Sequence, residues 1–594
     1  MNSIKNITAI KSNTSSKVSL VIVLVFLATQ FAFSQKKDEN IGTEVVNVVK
    51  PYTPTISDAF KVKETPSLND EETSKKEEIK YSIFSFPVAS TFAPAKGKAA
   101  GVDKEAQEEL FNSYATLGLG NYINALGELY VTKNIGDTDY FGGMFKHFSS
   151  QGGIKDLVLD DKFSTTSFDL IYGSKLQAYS WTSDLGYELK SNFWYGLPSD
   201  FGNLYTEDEK AKVVNAINEA NSFSNISAGG NINFTNSMFN DVSVKFNHFS
   251  DKFKSSESRF LVKPTFEFDA AGTTIKTKLI VDYLGGSFKK NYTDLASINY
   301  GYTNLGIHPS VAMSRNDWSF NLGAAAFYSI NIEEKKNKFL LYPQINASIA
   351  LVENIMIFYA GAEGTLQQNS YRDFVSENQF VSPTLLVQPT DKQFDVFGGL
   401  KGKVSNNLSY NVRGSVMSEK SKALFVSNYY DNTIVEQQNY QYGNSFDVIY
   451  DDMKTISFFG ELKADFTKNF SIGVNGTFSK YSMNNEAEAW NLPSIKLGAN
   501  LDVNITPKWY AGANVFFVGD RKDAIDKINN PLVPNIVTLK SYFDANAHLG
   551  FKYTNRLTAF LKLNNIANQG YQKWMNYPVQ SFQFMLGASY KFNL

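Results

Sequence analysis

The chain contains no cysteine in 594 residues and carries almost no net charge. Without cysteine there can be no disulfide bond, no thiolate metal site, no cysteine nucleophile and no lipidated N-terminal cysteine. The 57 lysines and arginines nearly balance the 59 aspartates and glutamates, which gives −2 at pH 7. A near-neutral chain lacks the basic surface that nucleic acids require, so we expect no nucleic-acid partner.

Long apolar runs are also missing beyond the N-terminus. The one clear run covers residues 18–32, after Lys5, Lys11 and Lys17, and small residues follow it just before Gln35. A membrane-spanning helix needs about 20 apolar residues, so no helical membrane protein is expected. The basic start, short apolar core and small-residue site predict a secretory signal peptide over residues 1–34, in preference to an uncleaved anchor.

Residues 35–112 have little that could form a packed core. Residues 61–80 are crowded with Lys, Glu, Asp, Ser and Thr, which predicts a mostly flexible segment, either periplasmic or inserted into a lumen. Two β-prone islands, 43–52 and 81–94, interrupt this polarity. Residues 43–60 are therefore a candidate for strand addition to a periplasmic or lipoprotein partner. The alternative is that the islands only pack into the mouth or lumen of the next domain.

What is abundant is period-two alternation with many aromatic residues, including 48 Phe and 32 Tyr. In the last stretch of the chain one face is entirely apolar: Phe582, Phe584, Leu586, Ala588, Tyr590 and Phe592. The other face is mostly small or polar, and residues 455–466 alternate in the same way with charges on one side. Lipid on one face and a polar lumen on the other explain this pattern.

Two kinds of connection separate the alternating runs. Short turns rich in Asn, Asp, Gly and Ser fall at 136–138, 235–237, 271–273, 314–317, 353–354, 405–407, 467–469, 506–508 and 554–556. Long connections fall between them, at about 150–162, 196–221, 371–392, 423–445, 519–535 and 566–577. Short turns alternating with long loops are typical of outer-membrane barrels.

The sequence thus predicts an all-β protein. Residues 113–594 are expected to form a transmembrane antiparallel outer-membrane β-barrel of about 22 strands, in which the last strand pairs with the first near Tyr114. Aromatic side chains beside the short turns would form the periplasmic girdle: Tyr140, Phe239, Trp318, Phe470, Trp509 and Tyr553. A soluble β-sandwich or propeller is the alternative, but it does not explain the alternation of loop lengths.

The end of the chain resembles the end of a TonB-dependent outer-membrane receptor, in the style of Bacteroidetes proteins. The resemblance rests on residues 563–568, on Tyr571, on Tyr577-Pro578, and on the final strand with its ending at 587–592. It implies that the assembly machinery recognises a C-terminal signal consisting of Phe582, Phe584, Leu586, Tyr590 and Phe592.

The chain departs from that family ahead of the barrel. Members carry a plug domain of well over a hundred residues, and here no plug is recognisable in residues 35–112. The resemblance also implies a short box that contacts TonB, and a loose match is found at Glu44, Val45, Val46, Val48 and Val49. Infolded loops, the N-terminal segment or a partner would then have to fill the lumen.

Catalytic signals are few, and no cofactor or metal is expected. The histidines His147, His248, His308 and His548 lack metal-ligand spacing, and acidic pairs in loops are expected to be solvated rather than to bind calcium. Thr206 and Glu209 form a capping-box pattern that predicts a short amphipathic loop helix, either a lid or simply packed on neighbouring loops. We therefore expect no enzyme.

Two functions remain open from the sequence. One is an accessory or structural subunit of an outer-membrane complex, and the other is a pore or receptor for passive or TonB-energised uptake of a small nutrient. The charged positions Glu461, Lys463 and Lys562 are predicted to face the lumen in either case. The expected location is the outer membrane, with its lipid and the barrel assembly machinery as partners.

Overall fold

The computed structural model describes residues 110–594, apart from 199–200, 202–205, 218–219, 236, 271, 432–433, 435–436 and 526–534. The predictions made for residues 1–109 lie outside the described residues. Within the described part, strands dominate and helices are short.

Twenty-two strands form a single sheet, as the sequence predicted. They are β1 Ser113–Gly120, β2 Ala125–Ile135, β3 Asp139–Ser150, β4 Phe163–Lys175, β5 Tyr179–Asn192, β6 Asn221–Phe234, β7 Phe239–Asp251, β8 Ser256–Ala270, β9 Thr273–Phe288, β10 Ile298–Arg315, β11 Trp318–Asn331, β12 Lys336–Val352, β13 Met356–Gln367, β14 Thr390–Ser405, β15 Leu408–Ser427, β16 Phe446–Thr467, β17 Phe470–Met483, β18 Ile495–Asn504, β19 Trp509–Val518, β22 Tyr542–Lys552, β23 Leu557–Asn564 and β26 Gln583–Phe592.

Two small hairpins lie outside this sheet. They are formed by β20 Arg521–Ile525 with β21 Asn535–Leu539, and by β24 Gln572–Trp574 with β25 Tyr577–Pro578. The described helices are the 3-10 turn Asn121–Ile123 and the α-helices Glu207–Ile217 and Tyr371–Glu377. No helix in this part of the chain is long and apolar enough to cross a membrane.

The sheet closes on itself because the last strand pairs with the first. β26 runs antiparallel to β1, with Ser113 opposite Phe592 and Tyr114 opposite Lys591, which confirms the predicted closure near Tyr114. Neighbouring strands around the barrel are antiparallel throughout, so consecutive connections fall at alternate ends. A closed barrel leaves no unpaired sheet edge along its membrane-spanning part.

The two ends of the barrel differ as predicted, and we call them the turn end and the loop end. All nine predicted short turns join consecutive barrel strands at the turn end. Gly136, Asn316 and Asn354 adopt positive φ values of 67°, 52° and 54° there, a conformation that Gly and Asn tolerate best. A tenth turn at 176–178 was missed because its sequence, Leu-Gln-Ala, contains no turn residue.

The outer surface of the barrel is apolar. On β26, Phe584, Leu586 and Tyr590 are 41%, 59% and 46% exposed, whereas Met585 and Ser589 point to the other side and are buried. On β16, Ile456, Phe458, Leu462 and Phe466 are likewise exposed. Contact with lipid requires such a belt of exposed apolar side chains, whereas in water the same belt would cause aggregation.

Aromatic side chains flank the turn end, with one exception to the prediction. Trp509 packs on Phe551 with ring centroids 4.6 Å apart, and Phe239 lies 5.1 Å from Phe266. Tyr140 instead lies on the lumen side, where its ring would collide with a Cβ added at Gly173. The prediction for Tyr140 was wrong because it relied on proximity to a turn and ignored which face the residue's parity selects.

Candidate functional site

The loops at the loop end pack into one apolar core across the mouth of the barrel. We call this core the mouth cluster. It draws buried side chains from six loops and the strand ends beneath them: Trp194, Phe223, Phe249, Leu284, Phe288, Tyr292, Tyr300, Tyr371, Phe374, Val375, Phe380, Val381, Leu385, Val387, Phe425, Tyr429, Tyr440, Phe446, Val448, Leu539, Trp574, Met575 and Tyr577.

The contacts in the mouth cluster join opposite walls of the barrel. Trp194 lies in the loop between β5 and β6, and Tyr440 lies in the loop between β15 and β16. These two loops are ten strands apart in the 22-stranded barrel, yet the centroids of the two side-chain rings are 5.7 Å apart. Phe380, from the loop after β13, stacks on Tyr577 near the C-terminus at 3.6 Å and 19°. Loops anchored on opposite sides therefore meet over the axis of the lumen.

Buried hydrogen bonds fix these loops in one arrangement. The indole nitrogen of Trp194 donates to the carbonyl oxygen of Phe380 at 3.2 Å, and Asn444 Nδ2 donates to the carbonyl of Trp194 at 2.9 Å. The hydroxyl of Tyr577 donates to the carbonyl of Asn444. Burial raises the pKa of Tyr577 and Tyr195 far above the ordinary tyrosine value, so both remain neutral donors.

The loop after β13 contains a short helix that is held by a carboxylate. Ser370 caps the helix by accepting from the amide of Asp373 at 3.1 Å. Glu257 on β8 accepts from the amides of Tyr371 and Arg372, at 2.6 and 3.2 Å, at the helix N-terminus. A carboxylate at that position satisfies the otherwise unpaired amides and the positive end of the helix dipole.

A second ionic contact holds the same helix from the wall. Arg259 on β8 forms a two-pronged interaction with Asp282 on β9, at 2.9 and 2.7 Å, and also approaches Asp373 at 3.6 Å. The hydroxyl of Tyr371 donates to Asp251 at 2.8 Å, and its ring packs on Phe288 at 4.9 Å. The Tyr371–Glu377 helix is thus clamped by charges, hydrogen bonds and aromatic packing.

Beneath this helix lies a polar cavity of about 350 Å³. The wall strands β4 to β6 line one side of it with Asp169, Glu188 and Lys190 among others, and the helix contributes Arg372 and Asp373. Both signs of charge are present, with Lys190 3.1 Å from Glu188. The cavity is suited to small polar solutes, and within the described ranges no three His, Asp or Glu side chains are arranged to hold a metal ion.

A buried acid secures the loop between β19 and β22. Asp523 on β20 is fully buried and accepts from the amides of Ser427 and Ala524 at 3.0 and 2.8 Å. Burial raises the pKa of Asp523 to about 6. Its neighbour Arg521 donates to the carbonyls of Gln572 and Lys573, which links this loop to the last one.

The predicted loop helix is present as Glu207–Ile217, with the expected capping box. Glu209 accepts from the hydroxyl of Thr206 at 2.7 Å, which lowers the pKa of Glu209, and the amide of Glu209 donates back to Thr206. Val213 and Val214 pack against a small buried group that includes Phe201 and Tyr442. The helix is packed on neighbouring loops, which is one of the two alternatives that the sequence left open.

The expectation that the acidic pairs are solvated was wrong for Asp161 and Asp451, because both are buried and accept hydrogen bonds from loop backbone amides. Asp161 accepts from the amides of Gly153 and Ile154 at 2.7 and 3.2 Å, and Asp160 pairs with Lys162 at 2.9 Å. Asp451, on β16, accepts hydrogen bonds from the backbone amides of residues 484–486 at 2.8–3.1 Å. Carboxylates saturated by backbone donors in this way serve as loop anchors.

The histidines are spread around the barrel wall, and in the described part of the chain none of them joins a group of three potential metal ligands. His147 and His248 bond to hydroxyls of adjacent strands, Thr166 at 2.8 Å and Ser258 at 2.9 Å. Alternation with the exposed Leu462 on β16 places Glu461 and Lys463 on the lumen side, as predicted, and Lys562 lies opposite the buried Met585. The TonB-box-like residues lie outside the described part of the chain, so that prediction stays open.

Sequence reasoning missed the clamped helix at Tyr371–Glu377, which was expected only as part of a long connection. A signal was present, because Ser370 and Asp373 have capping spacing and residues 374–387 contain many apolar residues for a loop. Its anchor Glu257 lies over a hundred residues away in the chain, and no local pattern connects the two.

Comparison with known proteins identifies the fold. No protein-family model and no curated protein matches the sequence. Among solved structures, the FrpB iron transporter from Neisseria meningitidis superposes with a TM-score of 0.60 at 10% identity, covering 82% of each chain. The siderophore receptor PirA from Acinetobacter baumannii gives 0.60 at 11%, covering 82% and 81%. The ferric-catecholate import receptor Fiu from E. coli K12 gives 0.59 at 12%, covering 82% of each.

These neighbours are TonB-dependent receptors with a 22-strand barrel, so the chain has the fold of a receptor-like outer-membrane β-barrel. The neighbours are transporters and receptors rather than enzymes, in keeping with the expectation from the sequence. At 10–12% identity the shared property is the fold, and ligand and partners have to be argued from this chain's own residues.

Proposed function

We propose that this chain is an accessory or structural subunit of an outer-membrane complex, built on a receptor-like barrel. The observation that carries the proposal is the mouth cluster, because loops from opposite walls meet over the lumen in a buried aromatic core. A conformation held by packing and by buried hydrogen bonds does not open readily to diffusing solutes. Passive diffusion from the loop end is therefore the function that the geometry favours least.

In this proposal the loops do at the outer face what a separate plug domain does in related receptors. The Tyr371–Glu377 helix enters the mouth and is clamped there by Glu257 and Arg259. The polar composition of residues 61–80 supports the absence of a folded plug in that stretch. Residues 43–60, with their β-prone run, are proposed to bind the periplasmic or lipoprotein partner by strand addition.

Purification of the full chain from its native membrane under mild detergent tests this role. We expect a stoichiometric partner in the parent protein and its loss when residues 43–60 are deleted. Deletion of residues 81–94, the other β-prone island, is the matched control and should leave the complex intact. Recovery of a lone barrel from native membranes, with an intact N-terminus, would refute the accessory role.

Uptake of a small nutrient is the second candidate, favoured by the polar cavity beneath the helix. In its energised form the TonB-box-like residues would have to be engaged, and Val46→Pro would abolish uptake because proline removes the amide needed for strand pairing. Planar-bilayer recording tests the passive form. Conductance of the parent protein at a level expected for an open barrel of this width would support the pore and count against a closed mouth.

We also propose that the barrel assembly machinery recognises the outward row of β26, namely Phe582, Phe584, Leu586, Tyr590 and Phe592. The row is apolar and belongs to the strand that closes the barrel. Phe592→Ser should reduce the folded, heat-modifiable fraction in the outer membrane, whereas Lys591→Ser on the lumen side should not. Equal yields of the two variants would refute this assignment.

A further inference from the structure

A patch of unpaired lysines lies on the inner wall of the barrel. We call Lys245 on β7, Lys263 on β8 and Lys278 on β9 the lysine patch. Their strand neighbours Val244, Val281 and the nearby Phe260 are exposed on the outer surface, so the lysines alternate onto the lumen side.

The strand register makes the patch contiguous. Lys245 is opposite Leu261, two residues from Lys263, and Lys278 is opposite Thr265, also two residues from Lys263. Diagonal neighbours of this kind have Cα atoms roughly 7–8 Å apart, within reach of long side chains. His308 on β10 is directly opposite Lys278, packs its ring on Phe327 at 5.2 Å, and has a buried Nε2 without a hydrogen-bond partner.

Two of the three nearby acids are paired with other basic residues, and the third, Asp241, accepts from a neutral hydroxyl. Asp282 is held by Arg259 at 2.9 and 2.7 Å, and Glu267 is paired with Lys276 at 3.1 Å. Asp241 accepts from Thr265 at 3.2 Å. Among the described residues, none of the three patch lysines has an ion-pair partner within 4.0 Å. Lys263 experiences the like charges of Lys278 and Lys245 as well as the opposite charge of Asp282.

Like charges on a concave wall of low dielectric concentrate ions of the opposite sign. Lysine and arginine clusters in barrel lumens select anions and phosphates in this way. We infer that the lysine patch is a binding site for small polyanions of the phosphate class. Three ammonium groups from adjacent strands can each donate to a different oxygen of one such anion, and His308 Nε2 offers a fourth polar atom at the edge of the site.

The site goes beyond the accessory role and does not depend on it. Inorganic pyrophosphate titrated into the full chain in a neutral detergent, followed by calorimetry at low salt, is the direct test. We expect saturable binding that weakens at least tenfold in K263Q/K278Q and that weakens further as sodium chloride is raised. K403Q/K463Q, which removes two lumen-facing lysines on β14 and β16, is the matched control and should bind like the parent.

K263R/K278R keeps the charges and should retain binding, which separates a charge effect from a packing effect. Heat-modifiability on gels confirms that each variant forms a barrel before titration. Absence of saturable binding in the parent protein would overturn the assignment, and so would an equal loss of affinity in the control. Neither result affects the co-purification experiment, so the anion site and the accessory role are tested independently.

Discussion

The clamp on the Tyr371–Glu377 helix can be released by one substitution, Glu257→Gln. Glu257 accepts three hydrogen bonds, from the amides of Tyr371 and Arg372 and from the hydroxyl of Tyr300 at 2.9 Å. A hydrogen bond to a charged group contributes about 1.5–3 kcal/mol, whereas a neutral amide is a weaker acceptor on one atom and a donor on the other. When Glu257 is ionised, replacing its two charge-assisted bonds to the helix by one neutral bond and a mismatched donor therefore costs roughly 3 kcal/mol of local stability, so the experiment is run at mildly alkaline pH.

Because the chain has no cysteine, a single engineered thiol reports this opening cleanly. Val375 is 3% exposed on the clamped helix, so Val375→Cys should react slowly with a membrane-impermeant maleimide. A loss of roughly 3 kcal/mol of opening free energy should raise the labelling rate about 100-fold in the Glu257→Gln background, provided that closing is faster than labelling.

Glu363→Gln is the control for this experiment. Glu363 also faces the lumen and also accepts a hydrogen bond, from Asn346 at 2.6 Å, but it does not contact the helix. Labelling of Val375→Cys should be unchanged in that background. Equal labelling rates in the parent and Glu257→Gln backgrounds would show that aromatic packing alone holds the helix, and the electrostatic part of the reasoning would be refuted.

Three further predictions follow from the same structure. Phe380→Ala removes the ring stacked on Tyr577 and should destabilise the mouth cluster by about 3–5 kcal/mol, seen as faster proteolysis of the loops, whereas Leu295→Ala, at an 85% exposed loop position, should have no effect. Burial raises the pKa of Asp523 to about 6, so the folded form holds its proton more tightly than the unfolded form. The stability of the β20–β21 hairpin against hydrogen exchange should be greatest below about pH 4 and fall by roughly 3 kcal/mol between about pH 4 and 6, a dependence that Asp523→Asn should abolish. Val474→Arg places a charge on the lipid side of β17, which costs roughly 2–4 kcal/mol at the bilayer centre, and should lower the yield of folded barrel. Asn475→Arg, on the lumen side beside Glu461, should be tolerated, and equal yields of the two variants would contradict the assignment of the two faces.

The barrel itself could be predicted because its information is local and repeated. Side-chain parity distinguishes lipid from lumen on each strand, and Leu462 and Lys463 show this between adjacent residues. Turn chemistry marks nine of the ten turns at the turn end, and the missed one, Leu176 to Ala178, lacks Gly, Asn, Asp and Pro. Closure between Tyr114 and Lys591 follows once the number of strands is even and the two termini lie at the same end.

The mouth cluster could not be predicted, for a physical reason. Its contacts join residues such as Trp194 and Tyr440, or Phe380 and Tyr577, that are about two hundred residues apart in the chain. Loop sequences have no periodic pattern that would reveal which side chains are buried. An aromatic residue in a loop is therefore equally consistent with a membrane girdle, a ligand-binding site or a packed core. Trp194, for example, is only 2% exposed and belongs to the mouth cluster.

The uneven height of the wall explains how the loops reach one another. β15 and β16 contain 20 and 22 residues, whereas β18 and β19 contain 10 each. At roughly 3.3 Å per residue, the longer strands extend about 33–40 Å further along their own direction. That extension carries Phe425, Phe446 and Val448 above the short strands and into the mouth cluster, where Phe446 packs on Trp574 at 5.5 Å. A purely lipid-spanning strand needs only about 9–11 residues, so the extra length serves the loops. Closure of the mouth is therefore built into the barrel wall and does not rest on the loops alone.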